Sequence, residues 1–439
     1  MPEKAELKLG AEPPRGMRDI LPDEAELRDA TAATILDVYR RYGFRRVETP
    51  ALEHIQLLTR GEGGENEKLI YKVLKRGAKL DLAGAAGEMD LVDLGLRFDL
   101  TVPLVRYYAN NHAALPRPLK AVQIGPVWRA ERQQKGRYRQ FTQCDIDILG
   151  MPSAVAEVEL ILATTDALTG LGLRNLTVRI NDRRLLAALA HRCGFEPSRA
   201  DSVFIALDKL DKVDWPGVEQ ELTQAGHPPA AIAQLGRLLS RFGPRGASPG
   251  DLGAMGAELR TPAAEEALGT LEPIIQTLRA DAMAGWSITF DPTLVRGMSY
   301  YTGPIFEITS EDFPSSIAGG GRYDKLIGKL LGKDVPATGF SIGFERVISL
   351  LLNRRPDQGQ RSRRVALIFE EGKDDLATVL AAARALRTAG LALSVEARAR
   401  NLGAQLDMLS RHGFDGFALF DGTGRPPVRW FGEPERRDE

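Results

Sequence analysis

The sequence of 439 residues predicts an α+β protein: an antiparallel sheet flanked by helices, with a helical insertion and a small carboxyl-terminal α/β domain. Three observations predict this class. A basic loop joins two strand-like segments as in an antiparallel pair. A long stretch carries leucine and alanine at helical spacing. After a polar linker, short strands and helices alternate, which is typical of a partly parallel sheet. We therefore assign the core to 1–181 and 286–352, the insertion to 182–285, the linker to 353–364 and the last domain to 365–439.

Composition is that of an ordinary globular enzyme, with 43% hydrophobic and 27% charged residues. The net charge of −1 means that any nucleic-acid contact must come from local basic patches. The only cysteines are Cys144 and Cys193, with no CxxC pair, which excludes a disulfide framework and a thiolate metal site and favours a cytoplasmic protein. No apolar run approaches a membrane span, and we expect no signal peptide.

The amino-terminal elements follow from local signals. A helix is predicted to begin at Pro22, because proline suits the first helical position and acidic residues follow it. Gly43 ends this helix. Residues 44–53 are predicted to be extended, and their proline places them at a sheet edge or an interface. Residues 76–95, rich in glycine, alanine and aspartate, are predicted to form an inserted loop or hairpin.

The rest of the core is predicted to consist mainly of strands, with two helices. Residues 155–168 and the segment that begins at Glu345 are predicted to be helical, and the glycines at 319–321 are predicted to form a turn. Core strands are expected at residues 96–99, 119–131, 139–149, 177–180, 287–290, 303–309, 317–318 and 337–344. In the last domain, strands are expected at 365–369, 391–395 and 417–420, and helices at 374–388 and 402–410.

The loop after Val127–Glu131 concentrates positive charge between two strands. Its cations and those beside it are Arg129, Arg132, Lys135, Arg137 and Arg139. Arginine forks hold phosphate oxygens in a fixed plane, so this hairpin is suited to a triphosphate or a nucleic-acid end. The alternative is a solvated surface hairpin with chance charges.

Two further arginines occur in unusual surroundings. Arg346 follows a strand with alternating glycines, where a flat ligand can approach the backbone, although a plain strand–helix junction gives the same pattern. Arg296 lies between apolar residues and the paired Tyr300 and Tyr301, which suggests a polar pocket suited to an aromatic or imidazole side chain. The alternative is a pair of core tyrosines beside an arginine that reaches the surface.

Acidic and amide side chains supply a third candidate cluster. Asp99 and Thr101 would point the same way along an extended segment, since residues i and i+2 share a face. Together with Gln143 and Asp147, they are suited to an α-ammonium group and an imidazole. Polar alternation on a half-buried strand would explain the same residues without a ligand.

These features occur in the order and spacing of one known family. The aromatic–Arg–x–Glu pattern at 128–131, the basic loop, and Gly–x–x–x–Gly–x–Glu–Arg ending at Arg346 resemble motifs 2 and 3 of the class II aminoacyl-tRNA synthetases. Residues 43–53 resemble part of motif 1, the dimer-interface helix and strand. Residues 294–301 and 320–324 are similar to the two signature peptides of the histidyl-tRNA synthetases. The resemblance is weaker over the last domain.

The resemblance implies a class II synthetase-like catalytic core and a role for each matching residue. It implies that Arg129 holds the ATP α-phosphate, Arg346 clamps the phosphate tail, and Arg296 stabilises charge on the α-phosphate. The remaining assignments fall into four groups. ATP contacts are implied for Glu131 and Arg137, tRNA acceptor-end contacts for Gln134 and Arg139, α-amino contacts for Asp99, Thr101 and Gln143, and imidazole recognition for Asp147 and Tyr301 with Tyr300 alongside.

The implied reaction is activation of L-histidine with ATP, followed by transfer to the 3′ end of tRNA(His). Mg²⁺ is implied as the partner of ATP, and a homodimer by the motif 1 match. The histidine carboxylate is already the nucleophile, so the work is positioning and charge neutralisation. This explains why the sequence carries neither a Ser–His–Asp arrangement nor a metal-ligand cluster.

Three departures from the family pattern are visible, and two alternatives stay open. One departure is the insert at 76–95, which is longer than the family norm. Ser299 stands where the signature peptide usually carries aspartate, and the last domain ends soon after residue 430, short of the usual final element. One alternative is the regulatory subunit of ATP phosphoribosyltransferase, a relative that normally lacks an anticodon domain. The other is a paralogue that activates histidine for a different acceptor.

Overall fold

The computed structural model describes residues 10–59, 66–131, 138–242, 249–281, 285–296, 300–354 and 363–432. It divides into two compact units, residues 1–354 and 355–439. Within the described ranges, no helix combines the length and apolar character that crossing a membrane requires.

The first unit contains twelve α-helices among its described residues. They are α1 (Pro22–Arg41), α2 (Ile55–Thr59), α3 (Thr101–Asn111), α4 (Val155–Gly170), α5 (Arg183–Cys193), α6 (Ala200–Leu207), α7 (Leu210–Gln224), α8 (Pro229–Phe242), α9 (Pro249–Leu259), α10 (Pro262–Asp281), α11 (Asp324–Leu331) and α12 (Phe344–Asn353). Asp23 and Glu24 lie in the first turn of α1, at the positive end of its dipole.

The strands among its described residues form two sheets. They are β1 (Arg45–Arg46), β2 (Leu52–His54), β3 (Lys72–Leu74), β4 (Val92–Leu96), β5 (Leu119–Trp128), β6 (Gln140–Leu149), β7 (Leu176–Asp182), β8 (Trp286–Phe290), β9 (Pro304–Ser310), β10 (Phe313–Arg322) and β11 (Ala337–Gly343). The larger sheet has the order β1-β5-β6-β11-β10-β9-β7-β8, and the smaller has the order β2-β4-β3.

The fold class expected from the sequence is confirmed. Neighbours from β5 to β7 in the large sheet are antiparallel, while the outer pairs β1–β5 and β7–β8 are parallel. The sheet is therefore mixed, and its antiparallel centre carries the long strands. One face buries apolar residues in a continuous core, to which α1 and α4 contribute Ile35, Tyr39, Leu160 and Ile161.

Three local expectations were wrong. The strand expected at 96–99 is β4 (Val92–Leu96), which ends where the expected strand was to begin. The glycines at 319–321 lie inside β10 and not in a turn, because β9 and β11 pair with them on both sides. Thr101 is the first residue of α3 and does not continue an extended segment from Asp99. Asp99 Oδ1 accepts the backbone N–H of Val102 at 3.1 Å, so its carboxylate stabilises the start of the helix.

Helices α5 to α10 lie between β7 and β8 in the sequence and share the main apolar core. Asp182 caps the start of helix α5, where its side chain accepts the N–H of Arg184, and Gly194 follows the last residue of the helix with a φ of 93°. Only glycine adopts this left-handed conformation without strain. Helix α7 is interrupted at Asp214, where the backbone is not helical.

The second unit is a small α/β fold. Its described elements are β12 (Arg364–Phe369), α13 (Leu376–Thr388), β13 (Ala392–Ala397), α14 (Leu402–Arg411), β14 (Gly416–Leu419) and β15 (Arg429–Trp430). Strands β13, β12 and β14 are parallel, and β15 pairs antiparallel with β14. The expected partly parallel sheet is confirmed.

Candidate active site

The candidate site lies on the face of the large sheet opposite its apolar core. Side chains alternate along β6, so Gln143, Asp145 and Asp147 share one face while Cys144 and Ile146 enter the core on the other. A cavity of about 1280 Å³ covers the polar face. The alternation of side chains along β6 therefore places these three polar residues on the floor of the cavity.

Ten of the thirteen site residues predicted from the sequence line this one cavity. They are Asp99, Thr101, Arg129, Glu131, Gln143, Asp147, Arg296, Tyr300, Tyr301 and Arg346. Arg139 is not among the lining residues; its Nε donates to the backbone oxygen of Glu131 at 3.0 Å. Gln134 and Arg137, and also Ser299, lie outside the described residues.

Arg129 is fixed at the end of β5. Its Nε donates to the backbone oxygen of Phe98 at 2.9 Å, and its guanidinium lies 5.0 Å from the ring centroid of Phe141. The backbone N–H of Arg129 bonds to the oxygen of Arg139 at 2.8 Å. An arginine held in this way presents its remaining donors to the cavity without first losing side-chain entropy.

Arg346 lies in the first turn of α12, as the sequence predicted, and donates from Nη1 to the backbone oxygen of Ser316. Its neighbour Glu345 anchors this end of the helix. Both Glu345 oxygens accept from Arg28 at 2.7 Å, and one also accepts the N–H of Thr142 at 3.0 Å. Burial alone would raise the pKa of Glu345, but Arg28 and the Thr142 N–H hold it below its usual value.

Arg296 lies close to the backbone of β10. A Cβ added to Gly319 would overlap the Arg296 guanidinium, so only glycine allows this position. Nη1 of Arg296 is 3.4 Å from Glu307 Oε2, and among the described residues its Nε has no hydrogen-bond partner. The guanidinium therefore retains donor capacity for an anion in the cavity.

Asp147 and three tyrosines form an aromatic and acidic corner. Tyr323 Oη donates to Asp147 Oδ1 at 2.5 Å. The Tyr300 ring packs edge to face with Tyr301 and Tyr323, at centroid distances of 4.9 and 5.9 Å. Burial raises the pKa of Asp147 from 3.8 to about 7, and the Tyr323 hydrogen bond opposes the rise. A carboxylate and phenols around one slot match the hydrogen-bonding groups of an imidazole.

A second acidic position lies beside this corner. Burial raises the pKa of Asp99 to about 6, opposed by the Val102 N–H and the charge of Arg129. Among the described groups, Asp99 Oδ2 has no hydrogen-bond partner. Gln143 Nε2 donates to Ser341 Oγ at 3.1 Å, and its Oε1 has no hydrogen-bond partner among the described residues. These groups can take up an ammonium ion.

Sequence reasoning did not assign several residues that line the cavity, among them Asp145, Arg179, Glu307 and Tyr323. Asp145 could have been found, because it lies at period two between Gln143 and Asp147. The roles of Arg179 and Glu307 depend on pairing between strands far apart in the sequence. Nothing local distinguishes them from an exposed strand face.

A model of the histidyl-tRNA synthetase family matches residues 16–347. A histidine–tRNA ligase from Leifsonia xyli subsp. xyli is 46% identical over 416 residues, covering 93% of this chain and 95% of the relative. The crystal structure of histidyl-tRNA synthetase from Nostoc sp. PCC 7120 has a TM-score of 0.75 at 27% identity and covers 94% of this chain and 91% of that chain.

A further solved structure shows the same fold at lower identity. It is described as an ATP phosphoribosyltransferase regulatory subunit/histidyl-tRNA synthetase from Bacillus halodurans C. Its TM-score is 0.74 at 22% identity, and the match covers 94% of this chain and 99% of that chain. The family match spans the elements that build the cavity, from α1 to the first turn of α12. The chain therefore belongs to the histidyl-tRNA synthetase family, the aminoacyl-tRNA synthetases that charge tRNA with histidine.

Proposed function

We propose that this cavity activates L-histidine with ATP, and that the chain then transfers histidine to the 3′ end of tRNA(His). In the first step a histidine carboxylate oxygen bonds to the α-phosphorus, and the bond to pyrophosphate breaks. In the second, a ribose hydroxyl of the tRNA attacks the activated carbonyl and AMP leaves. One observation carries the proposal: Arg129, Arg296 and Arg346, from distant parts of the sequence, line one cavity.

Charge and geometry support a division of labour among the three arginines. Arg129 holds the α-phosphate, Arg346 holds the phosphate tail, and Arg296 neutralises the charge that develops on the α-phosphate. Fixed guanidinium groups stabilise such charge more than mobile water does, because they need no reorganisation during the reaction. The substrate carboxylate is the nucleophile, so a general base is not required.

The acidic corner supports selection of histidine. Asp147, Tyr301 and Tyr300 recognise the imidazole, while Asp99, Thr101 and Gln143 bind the α-ammonium group. A site that hydrogen-bonds the substrate strongly rejects side chains that leave its buried polar groups unpaired. Positions in motif 2 assign the remaining contacts. ATP is bound by Glu131 and Arg137, and the tRNA acceptor end by Gln134 and Arg139.

The residues of the cavity fit Mg²⁺ bound together with ATP. Among the described residues, no three His, Cys, Asp or Glu side chains form a metal cage. Mg²⁺ usually needs only one or two protein carboxylates when phosphate oxygens and water complete its shell. Glu131 lines the cavity and would serve. When bound, the ion would neutralise phosphate charge beside the arginines.

Three further assignments belong to the same proposal. The chain acts as a cytoplasmic homodimer, supported by the match of residues 43–53 to motif 1. The core at 1–181 and 286–352 performs catalysis with an insertion at 182–285. The domain at 365–439 binds the tRNA anticodon. Removing residues 365–439 should spare adenylation and weaken tRNA charging.

Histidine-dependent exchange of pyrophosphate into ATP tests the first step. The purified chain should catalyse exchange and charge tRNA(His), and Arg296→Ala should nearly abolish exchange while the protein stays folded. Absence of exchange would favour the regulatory-subunit alternative. Exchange without charging would favour a paralogue with another acceptor.

A further inference from the structure

Arg179 lies in the floor of the cavity between two carboxylates. Its Nε donates to Asp291 Oδ2 at 2.6 Å, and its Nη1 donates to Glu307 Oε1 at 2.7 Å. Arg179 is 9% exposed and Asp291 is fully buried. The other oxygen of Glu307 lies 3.4 Å from Arg296 Nη1. A continuous chain of charged groups therefore leads from β7 to Arg296.

We propose that Arg179 is a positioning residue for adenylation, because it fixes the two carboxylates that determine where Arg296 lies. The inference rests on the proposed function. Arg179 pairs with Glu307 in the register of β7 and β9, and Glu307 pairs with Gly319 in the register of β9 and β10. Gly319 is the residue over which the Arg296 guanidinium is placed. The three strands thus bring the groups into one lateral row.

Asp291 connects Arg179 to the loop that carries Arg296. Asp291 Oδ1 accepts the N–H and the hydroxyl of Thr293 at 2.9 and 2.6 Å, which shapes the turn after β8. Asn181 shares the face of β7 with Arg179 and donates to the Leu294 oxygen at 3.1 Å. The loop is therefore held from β7 at two points before it reaches Arg296.

We expect this row of charged groups to position Arg296 and to add little to the free energy of unfolding. A buried ion pair contributes little net stability, because desolvation offsets the attraction. The planar guanidinium of Arg179 instead holds two carboxylates in a fixed relative orientation. It also neutralises Glu307, whose charge would otherwise repel an α-phosphate bound beside Arg296. Lysine cannot span both carboxylates in the same geometry.

The test compares Arg179→Met with a matched control in the pyrophosphate exchange assay. Arg184 also bridges two carboxylates, those of Asp182 and Glu266, but does not line the cavity. We expect Arg179→Met to lower kcat about tenfold or more with the KM for histidine changed less than about threefold. Arg184→Met should leave kcat within about twofold, and Arg179→Lys should recover part of the loss.

A double-mutant cycle with Arg296→Lys separates positioning from general structural damage. If Arg179 acts through Arg296, adding Arg179→Met to Arg296→Lys should lower kcat by less than about twofold more. A fully multiplicative loss, or wild-type kcat in folded Arg179→Met, overturns the inference. If Arg179→Met does not fold, Arg179→Lys takes its place in the same cycle, and the same two outcomes apply. No exchange by the unaltered chain overturns the proposed function as well.

Discussion

Tyr323 Oη donates to Asp147 Oδ1 at 2.5 Å, and this bond joins the end of β10 to β6 across β11. Asp147 faces Gly339 in the register of β6 and β11, and a Cβ on Gly339 would overlap its carboxylate. The glycine leaves room for the carboxylate, and the tyrosine orients it. Tyr323 is therefore part of the proposed imidazole slot although it was absent from the sequence-based assignment.

Removing this hydroxyl should weaken histidine recognition. We expect Tyr323→Phe to raise the KM for histidine about tenfold or more, because a hydrogen bond to a charged group contributes about 1.5–3 kcal/mol. The KM for ATP should change little. Exchange kinetics at varied histidine and ATP measure both. Tyr42→Phe is the matched control, since Tyr42 donates to Asp166 Oδ2 at 2.6 Å outside the cavity. An equal effect of both variants would contradict this role.

The raised pKa values of Asp147 and Asp99, about 7 and about 6, predict how histidine use depends on pH. Both carboxyl groups must be ionised to hold an ammonium or to accept from an imidazole N–H. We expect kcat/KM for histidine to rise with pH between about 5.5 and 7.5 and then level. Asp147→Asn should lower the plateau and remove the component near pH 7. A profile flat over this interval in the unaltered chain would contradict the assignment.

The same shift links Asp147 to stability with a definite sign. Between pH 3.8 and about 7 the folded state holds a proton that the unfolded chain has lost. The free energy of unfolding from this group therefore falls as the pH rises through that interval. Asp147→Asn, which cannot ionise, should be more stable than the unaltered chain at pH 8 by on the order of 4 kcal/mol, and about equal at pH 4. Urea unfolding at both pH values measures it; the same difference at both would refute the linkage.

Gly319→Ala should displace Arg296, because the added Cβ would overlap its guanidinium. We expect kcat for exchange to fall about a hundredfold, since a donor aimed at developing charge contributes about 3 kcal/mol. Gly269→Ala is the control, because Gly269 lies in α10 and a Cβ added there would have no atom within 4 Å. That control should keep its activity and gain up to about 1 kcal/mol of stability from helix propensity. Normal kcat in Gly319→Ala would show that Arg296 can act from another position.

Glu345→Gln should weaken ATP binding more than histidine binding. Glu345 joins the first turn of α12 to Arg28 of α1 and to Thr142, and Arg346 is its neighbour. Loss of the paired guanidinium bonds should raise the KM for ATP about three- to tenfold. Glu258→Gln is the control, since Glu258 also accepts from two arginines but lies on α9 outside the cavity. If both variants leave the KM for ATP unchanged, the link does not position Arg346.

Much of the fold follows from periodicity. The start of α1, the long hairpin of β5 and β6, and the alternating elements of the second unit were predicted close to their observed bounds. The three glycines of β10 were not, because consecutive glycines usually interrupt strands, and only pairing with β9 and β11 keeps them extended. Thr101 was misassigned because a helix begins there, and the Asp99 carboxylate accepts a backbone N–H of its first turn.

The candidate site divides in the same way. Arg129, Arg296 and Arg346 could be selected from short motifs, since each is flanked by glycines or aromatics in a recognisable order. Tyr323 and Arg179 could not, because each acts through a carboxylate on another strand. The register that joins them is set by the whole sheet, and a single sequence does not encode it locally.

The glycines of β10 leave no room for side chains on either side of the strand. A Cβ on Gly320 would meet the backbone of β11, and one on Gly321 would lie 2.9 Å from Tyr301 Cδ1. Randomised libraries that aim to redirect the enzyme to another amino acid should therefore leave this strand unchanged. Diversity is better placed at Asp145, Asp147 and Tyr323, whose side chains line the cavity.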